Sequence, residues 1–589
     1  MERLPYGVGR LSTGWYLLLA MLLSLIGLGA YAYSRQFVEG LIMTGMRDVG
    51  TMGGSTWGLY ITFDVYFVGI SFAGITVAAL IRLLNLKHLK PVSRMAELLT
   101  VISLILAGLS VLADLGQPLR GIVNLFRYAR PQSPFFGTFT LVIAGYLFAS
   151  LVYFFLDGRR DAALCAQVPG RLQWFYRLWA SGYRDTPAER ERHERASFWL
   201  AIAILPLLVT AHSTLGFVFG LQVGRPGWFS ALQAPGFVIM AGVSGVGMLL
   251  VIAALLRRVL GAEDQIGPEI FQWLSQFLMI LILIYLYFMI VEWLTNMYAA
   301  PHHEVRITEA LLTGVYAVPF WGVVATLLVA CGVLVWPHVP LPAGLPLPAF
   351  RPNFARATGL AAIAVAVVLL IQTPPTVIQT GVTLAPGLAR WLPWLLAILL
   401  LLFAISILPL LRTNIIAGAV VSGVLVNLAA MGKRYLIVVP SQTHGTLLPY
   451  PAGFYTPTWV EYSIVVGLLA LGTFLYVAFV KIFPIVEVPT PAEEGLRPRD
   501  MEAAVRRLPA GHPEAPKRLQ PRATLAILMV IVGFALQGVS YFKLAAPWGI
   551  PNSPVFSNPR LPFAPTLFIL GVMVVFLAAV VYELLPEKE

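Results

Sequence analysis

Asp64, Asp114, His212 and Glu292 each interrupt a different hydrophobic run. A charge in hydrocarbon costs on the order of 3 kcal/mol by insertion scales and more by simulation, so such residues usually face a cavity, a partner or a proton path. Acids together with a histidine suit reactions that move protons alongside electrons. A histidine titrates near neutral pH unaided, and a carboxyl can relay the proton. The same residue types could also bind the coupling ion of a secondary transporter. Haem chemistry fits poorly, because a membrane haem is normally held by two axial histidines. His212 is the only histidine deep in a run; His88, His193, His302, His303, His338, His444 and His512 lie in loops or at run ends. Cys165 and Cys331 fall short of the four or so thiolates that an iron–sulfur cluster needs. No haem, cluster or metal site is therefore expected in this chain.

The elements that must position these residues are membrane helices. The 589 residues are 58% hydrophobic and 12% charged, with a mean hydropathy of +0.80. A bilayer core about 30 Å thick takes roughly 20 apolar residues per helix. Fourteen such runs are present, from 14–33 to 565–584; Pro374, Pro375 and Pro386 interrupt the region between the ninth, 356–372, and the tenth, 391–411. Unpaired backbone cannot face lipid, and the runs are too long for barrel strands, so the expected class is all-α and polytopic. With the N-terminus inside, cytoplasmic segments hold 28 Lys and Arg and the opposite side 12. The net charge of +12 therefore reports orientation and some attraction to anionic lipid rather than nucleic-acid binding, and both termini are expected in the cytoplasm. Ala30-Tyr31-Ala32 resembles a signal cleavage site, but the preceding run is long for a signal peptide and is read as an uncleaved first helix.

This topology puts all four ionisable residues in the outer half of the membrane, with Glu97 and Glu269 at inner ends. On the third run Ser103, Ser110 and Asp114 share a helix face, although a serine in a membrane helix often only bonds its own backbone. The basic loop 157–196, with Trp174-Phe175-Tyr176 and Trp179, reads as an interfacial amphipathic helix. The Pro-rich stretch 337–352 is a stiff connector. The expected organisation is a membrane core over 1–335, further helices over 336–483, a polar cytoplasmic linker over 484–522 and a two-helix extension over 523–589.

Several short motifs occur in order: Trp57-Gly58 ahead of Asp64, Ala113-Asp114-Leu115-Gly116-Gln117-Pro118, Gly224-Arg225-Pro226-Gly227-Trp228, Glu292-Trp293-Leu294-Thr295 with Tyr298, and Arg434-Tyr435-Leu436-Ile437-Val438. Together they resemble the polysulfide reductase membrane-subunit (NrfD-like) family, which is related to the integral subunits of alternative complex III and of molybdopterin oxidoreductases. Lys433 stands where family members often carry an acid, and Gln117 where an arginine is frequent. The resemblance implies four-helix bundles in a bacterial or archaeal cytoplasmic membrane, and an integral subunit that binds quinone (menaquinone or ubiquinone) and carries no redox cofactor of its own. It implies an extracytoplasmic, ferredoxin-like iron–sulfur partner, connected to a molybdopterin or multihaem catalytic subunit.

On this reading His212 and Asp114 hydrogen-bond the quinone oxygens or exchange their protons, in a pocket between the second, third, fifth and seventh runs. Asp64 and Glu292 relay protons or keep the site polar. Arg225, Trp228 and the segment 299–306 lie near the quinone and the docking surface. The alternative is a proton-coupled secondary transporter using Asp64 and Asp114, which predicts broken helices at matched positions of two halves.

Overall fold

The computed structural model describes residues 4–46, 55–84, 86–129, 133, 138, 140–298, 301–338, 361, 411, 414–443, 455–488, 521–544 and 563–585. Among these, all regular structure is helical: α1 (Thr13–Glu39), α2 (Leu59–Ile70), α3 (Phe72–Leu83), α4 (Lys90–Asp114), α5 (Pro118–Tyr128), α6 (Thr140–Cys165), α7 (Gln173–Ala180) and α8 (Pro187–Gly220) in the first part. There follow α9 (Gln233–Val259), α10 (Pro268–Tyr298), α11 (His302–Leu312), α12 (Ala317–Val335), α13 (Ile415–Val438), α14 (Trp459–Ile482), α15 (Pro521–Val539) and α16 (Ala564–Leu584). Eleven of the described helices are long and apolar enough to cross a membrane. The expected runs at 356–372 and 391–411 lie outside the described residues, apart from 361 and 411.

Local sequence explains where several helices begin. Thr186 and Glu189 form a reciprocal capping box, so α8 starts ten residues before its apolar run, in a charged stretch where Arg190 pairs with Asp185. Thr458 and Glu461 do the same for α14, and Asn414 caps α13 through the amides of Ile416 and Ala417. The basic loop contains the expected short helix, α7, with Trp174 and Leu178 exposed.

α2, α4, α9 and α13 form the centre. α14 lies against α4, and α1 against α14, where Gly29 and Gly467 let the backbones touch: a Cβ on Gly29 would come within 2.9 Å of the Gly467 Cα. Helices on both sides of residue 335 thus share one core. α16 covers α5, α6 and α8, and α15 packs on α16.

At one end of the bundle, Arg94 is the chief clamp. Its guanidinium is 2.7 Å from Asp161 and 3.3 Å from Asp157, and it donates to the Pro484 carbonyl. Arg159 holds Glu583 at 2.7 Å, tying α6 to the end of α16. The candidate site lies toward the opposite end.

Candidate functional site

The chain entering α2 is fixed by side chains from much later in sequence. Gln442 accepts from the amides of Thr56 and Trp57 and donates to the Trp57 carbonyl. Tyr455 accepts from the Leu59 amide and donates to Glu461, a fully buried acid that also takes the amides of Gly45 and Thr458. Only glycine fits at 58, because a Cβ there would lie 2.3 Å from the Tyr455 hydroxyl. The Trp57 ring stacks on Trp228 at 5.6 Å and meets the edge of Phe219. Trp228 in turn donates from Nε1 to the Ile437 carbonyl at 2.6 Å. Three of the sequence motifs therefore meet in one aromatic assembly. The Arg225 guanidinium lies 6.0 Å from the Trp228 ring, and the Gly227 amide donates to Glu304 of α11. Burial pushes the Glu304 carboxyl above its ordinary range, and the Gly227 amide partly offsets this.

Just inside this cap, Asp64 on α2 and Asp114 at the end of α4 are both buried and close enough to interact electrostatically. Gln36 of α1 donates to the Ala113 carbonyl at 2.6 Å and accepts from Tyr60 at 2.6 Å. The first helix is thereby built into the same polar cluster.

His212 on α8 lies one turn further in. Its Nδ1 is 2.8 Å from the Leu208 carbonyl and its Nε2 is 3.0 Å from the Val68 carbonyl, with Phe72 and Tyr146 against the ring. A neutral imidazole has one N–H, so it donates to one of these carbonyls at a time. The Val68 contact reaches α2 beside a break in the helix at Ser71. There the Thr100 hydroxyl accepts from the Gly74 amide and donates to the Ser71 carbonyl, which also takes the Tyr146 hydroxyl. Side chains from three other helices thus replace ladder bonds missing at the break.

Glu292 stands apart from these three. It pairs with Lys433 of α13 at 3.5 Å, beside a small cleft of about 20 Å³ between α9, α10 and α13. The next residue, Arg434, is buried with its guanidinium 4.3 Å from the Phe237 ring. The structure therefore brings Asp64, Asp114 and His212 to neighbouring positions along α2 and sets Glu292 with Lys433. Sequence pattern marks Lys433 only as a departure from a motif and does not single out Gln36, Tyr60, Gln442 or Glu461. Gln36 does carry a signal, since it is the one amide side chain near the end of an otherwise apolar first run. Among the described residues, no cluster of three or more His, Cys, Asp or Glu could hold a metal.

Residues 49–345 match the family model described as "Polysulphide reductase, NrfD". A Halobacterium salinarum protein, provisionally named as a membrane subunit of dimethyl sulfoxide reductase, is 30% identical over 479 residues, covering 81% of this chain and 92% of its own length. A selenate reductase subunit of Mesobacillus selenatarsenatis is 28% identical, over 47% of this chain and 65% of its own. An Hdr-like menaquinol oxidoreductase integral membrane subunit of Archaeoglobus fulgidus is 27% identical, over 53% and 67%. With half the chain matched by the family model and a relative aligned over nearly its whole length, this polytopic helical membrane protein belongs to the NrfD polysulfide reductase family.

Proposed function

We propose that this chain is the integral membrane subunit of a respiratory oxidoreductase and exchanges electrons between membrane quinone and an extracytoplasmic iron–sulfur partner. The observation that carries the reading is the meeting of the family motifs around Trp57, Trp228 and Ile437, directly above the buried Asp64–Asp114 pair. The names of relatives support it, since one is a menaquinol oxidoreductase subunit and two are reductase subunits. The charge bias favours an extracytoplasmic position for this end, with both termini in the cytoplasm.

Quinol oxidation releases two electrons and two protons. Asp114 and His212 hydrogen-bond the quinol oxygens or take their protons, Asp64 relays them, and the electrons leave through the partner; Glu292, set apart with Lys433, keeps that neighbouring region polar. Arg225, Trp228 and α11 present the surface on which the iron–sulfur protein docks, and that protein passes electrons to or from a molybdopterin or multihaem subunit. Along α4 the buried Ser110, Ser103, Thr100 and Glu97 support a proton route from Asp114 toward the Arg94 end. The break at Ser71 favours a second reading, a proton-coupled transporter, which requires a matching break in another helix.

The test is gentle purification, identification of co-purifying subunits and extraction of bound quinone. His212→Ala and Asp114→Asn are expected to abolish quinol turnover in complexes that still assemble. A solitary protein without quinone, in membranes lacking quinol-dependent activity, overturns the function. Wild-type turnover in both variants overturns the residue assignment.

A further inference from the structure

A cavity of about 230 Å³ lies at the Arg94 end of the bundle, between α4, α6, the start of α8 and the chain that follows α14. Besides His193, four basic and four acidic side chains line it, so it has no net charge to concentrate a simple anion or cation. Most of these groups are matched within the protein. Arg94 is held by Asp157 and Asp161, Lys90 lies 2.8 Å from Glu487, and Arg190 gives two hydrogen bonds to Asp185. Two lining residues have capacity to spare, and they are of opposite sign. Arg160 of α6 has five N–H donors, yet its nearest carboxylate among the described residues is Asp185, 3.9 Å away and already occupied by Arg190. Glu194 of α8 makes no hydrogen bond or ion pair among the described residues.

A ligand that satisfies both residues carries an anionic and a cationic group close together. It is also small, since sites for drug-sized molecules span roughly 300–1,000 Å³. The cavity lies at the level of a membrane surface. Phe198, four residues beyond Glu194, shares its helix face and is 42% exposed, and the adjoining Trp199 is 67% exposed. Exposed aromatic rings at the start of an apolar run mark the headgroup zone of a bilayer. An arginine fork matches a phosphate, and a carboxylate accepts from an ammonium. We propose that the cavity binds the phosphate and ammonium of a zwitterionic phosphoethanolamine lipid, on Arg160 and Glu194 respectively, with an acyl chain running over Phe198. This assignment is independent of the quinone-linked function, whose residues lie toward the opposite end of the bundle.

The test is native mass spectrometry of the full chain, delipidated in mild detergent and titrated with phosphatidylethanolamine, phosphatidylcholine or phosphatidylglycerol of matched chains. The ethanolamine lipid is expected to bind about tenfold more tightly than either of the others, because choline has no N–H to give Glu194 and glycerol has no cation. Glu194→Gln is expected to remove that preference. Arg160→Gln is expected to weaken all three lipids tenfold or more, roughly the loss of one hydrogen bond to a charged group, and Arg160→Lys to retain part of the binding. Glu194 is exposed, so its variant keeps the proposal falsifiable if Arg160→Gln fails to fold. Equal binding of the three lipids, or an unchanged preference in Glu194→Gln, overturns the site. A preference for phosphatidylglycerol makes it an anion site and overturns the zwitterionic ligand. Displacement of the lipid by an equal concentration of soluble phosphoethanolamine, with Phe198→Ala without effect, assigns these groups to a free ester and overturns the lipid.

Discussion

Replacing Thr100 by valine removes one hydroxyl at nearly constant volume and tests how the α2–α3 break is held. In the native protein that hydroxyl accepts from the Gly74 amide at 3.0 Å and donates to the Ser71 carbonyl at 2.6 Å. The carbonyl has a second donor, Tyr146, at 2.5 Å; the amide has no second side-chain acceptor among the described residues. Hydrogen bonds between membrane helices average only ~0.6 kcal/mol when removed, with a maximum near 1.7. A buried amide left without an acceptor costs about 1–3 kcal/mol. Thr100→Val is therefore expected to cost ~1–2 kcal/mol, mostly through Gly74. Tyr146→Phe should cost no more than about 0.6 kcal/mol, because Thr100 still serves the carbonyl. The double variant strips the Ser71 carbonyl of both side-chain donors as well as the Gly74 amide of its acceptor, so the two effects should exceed additivity by about 1 kcal/mol. Denaturant unfolding of the purified protein gives the energies, and hydrogen exchange over 68–76 locates the opening. Additivity within about 0.4 kcal/mol, or exchange at the break unchanged in Thr100→Val, would refute the shared network.

Three other perturbations follow from the same structure. Arg94→Met strands Asp161, which is 1% exposed, and should cost about 3–5 kcal/mol, read as loss of the protein from membranes; wild-type abundance would contradict the clamp. Gly58→Ala forces Tyr455 away from Leu59 and Glu461, with an expected cost of about 1–3 kcal/mol and altered Trp57 fluorescence; a change under about 0.5 kcal/mol would refute the tight fit. Glu304 has its folded-state pKa raised by burial, so its contribution to stability is full below the unfolded value and is lost as pH rises through the folded one. The stability of the α11 region should accordingly fall as pH rises past the ordinary glutamate range, although the ionised carboxylate accepts more strongly from the Gly227 amide, and Glu304→Gln should flatten that dependence; an identical profile in the variant would contradict it.

Which parts of this architecture could be read from sequence depended on whether the cause was local. Apolar length and caps such as Thr186 with Glu189 are local, so the helices and the short amphipathic α7 were legible. So was the shared end of the bundle at which Asp64, Asp114 and His212 lie, since counting residues from a helix end gives position along it directly. Partnership was not legible, because membrane helices meet through contacts hundreds of positions apart, as in Tyr455 with Leu59 or Trp228 with Ile437. Glu292 shows the consequence. Its position along α10 was readable, but its direction was set by α13, which brings Lys433 to it. The helix break at Ser71 was invisible for a related reason. It contains no proline, and a lone serine between Gly69 and Gly74 is ordinary in a membrane helix, while the groups that satisfy the break come from α4, α6 and α8. A helix interrupted by its neighbours rather than by its own sequence can be restored or moved by changing those neighbours. Asp64 lies on α2 one turn from Val68, whose carbonyl contacts His212. The packing that holds the break therefore also fixes the acid, and a substitution at Thr100 or Tyr146 should shift the reactivity of Asp64 as well as stability.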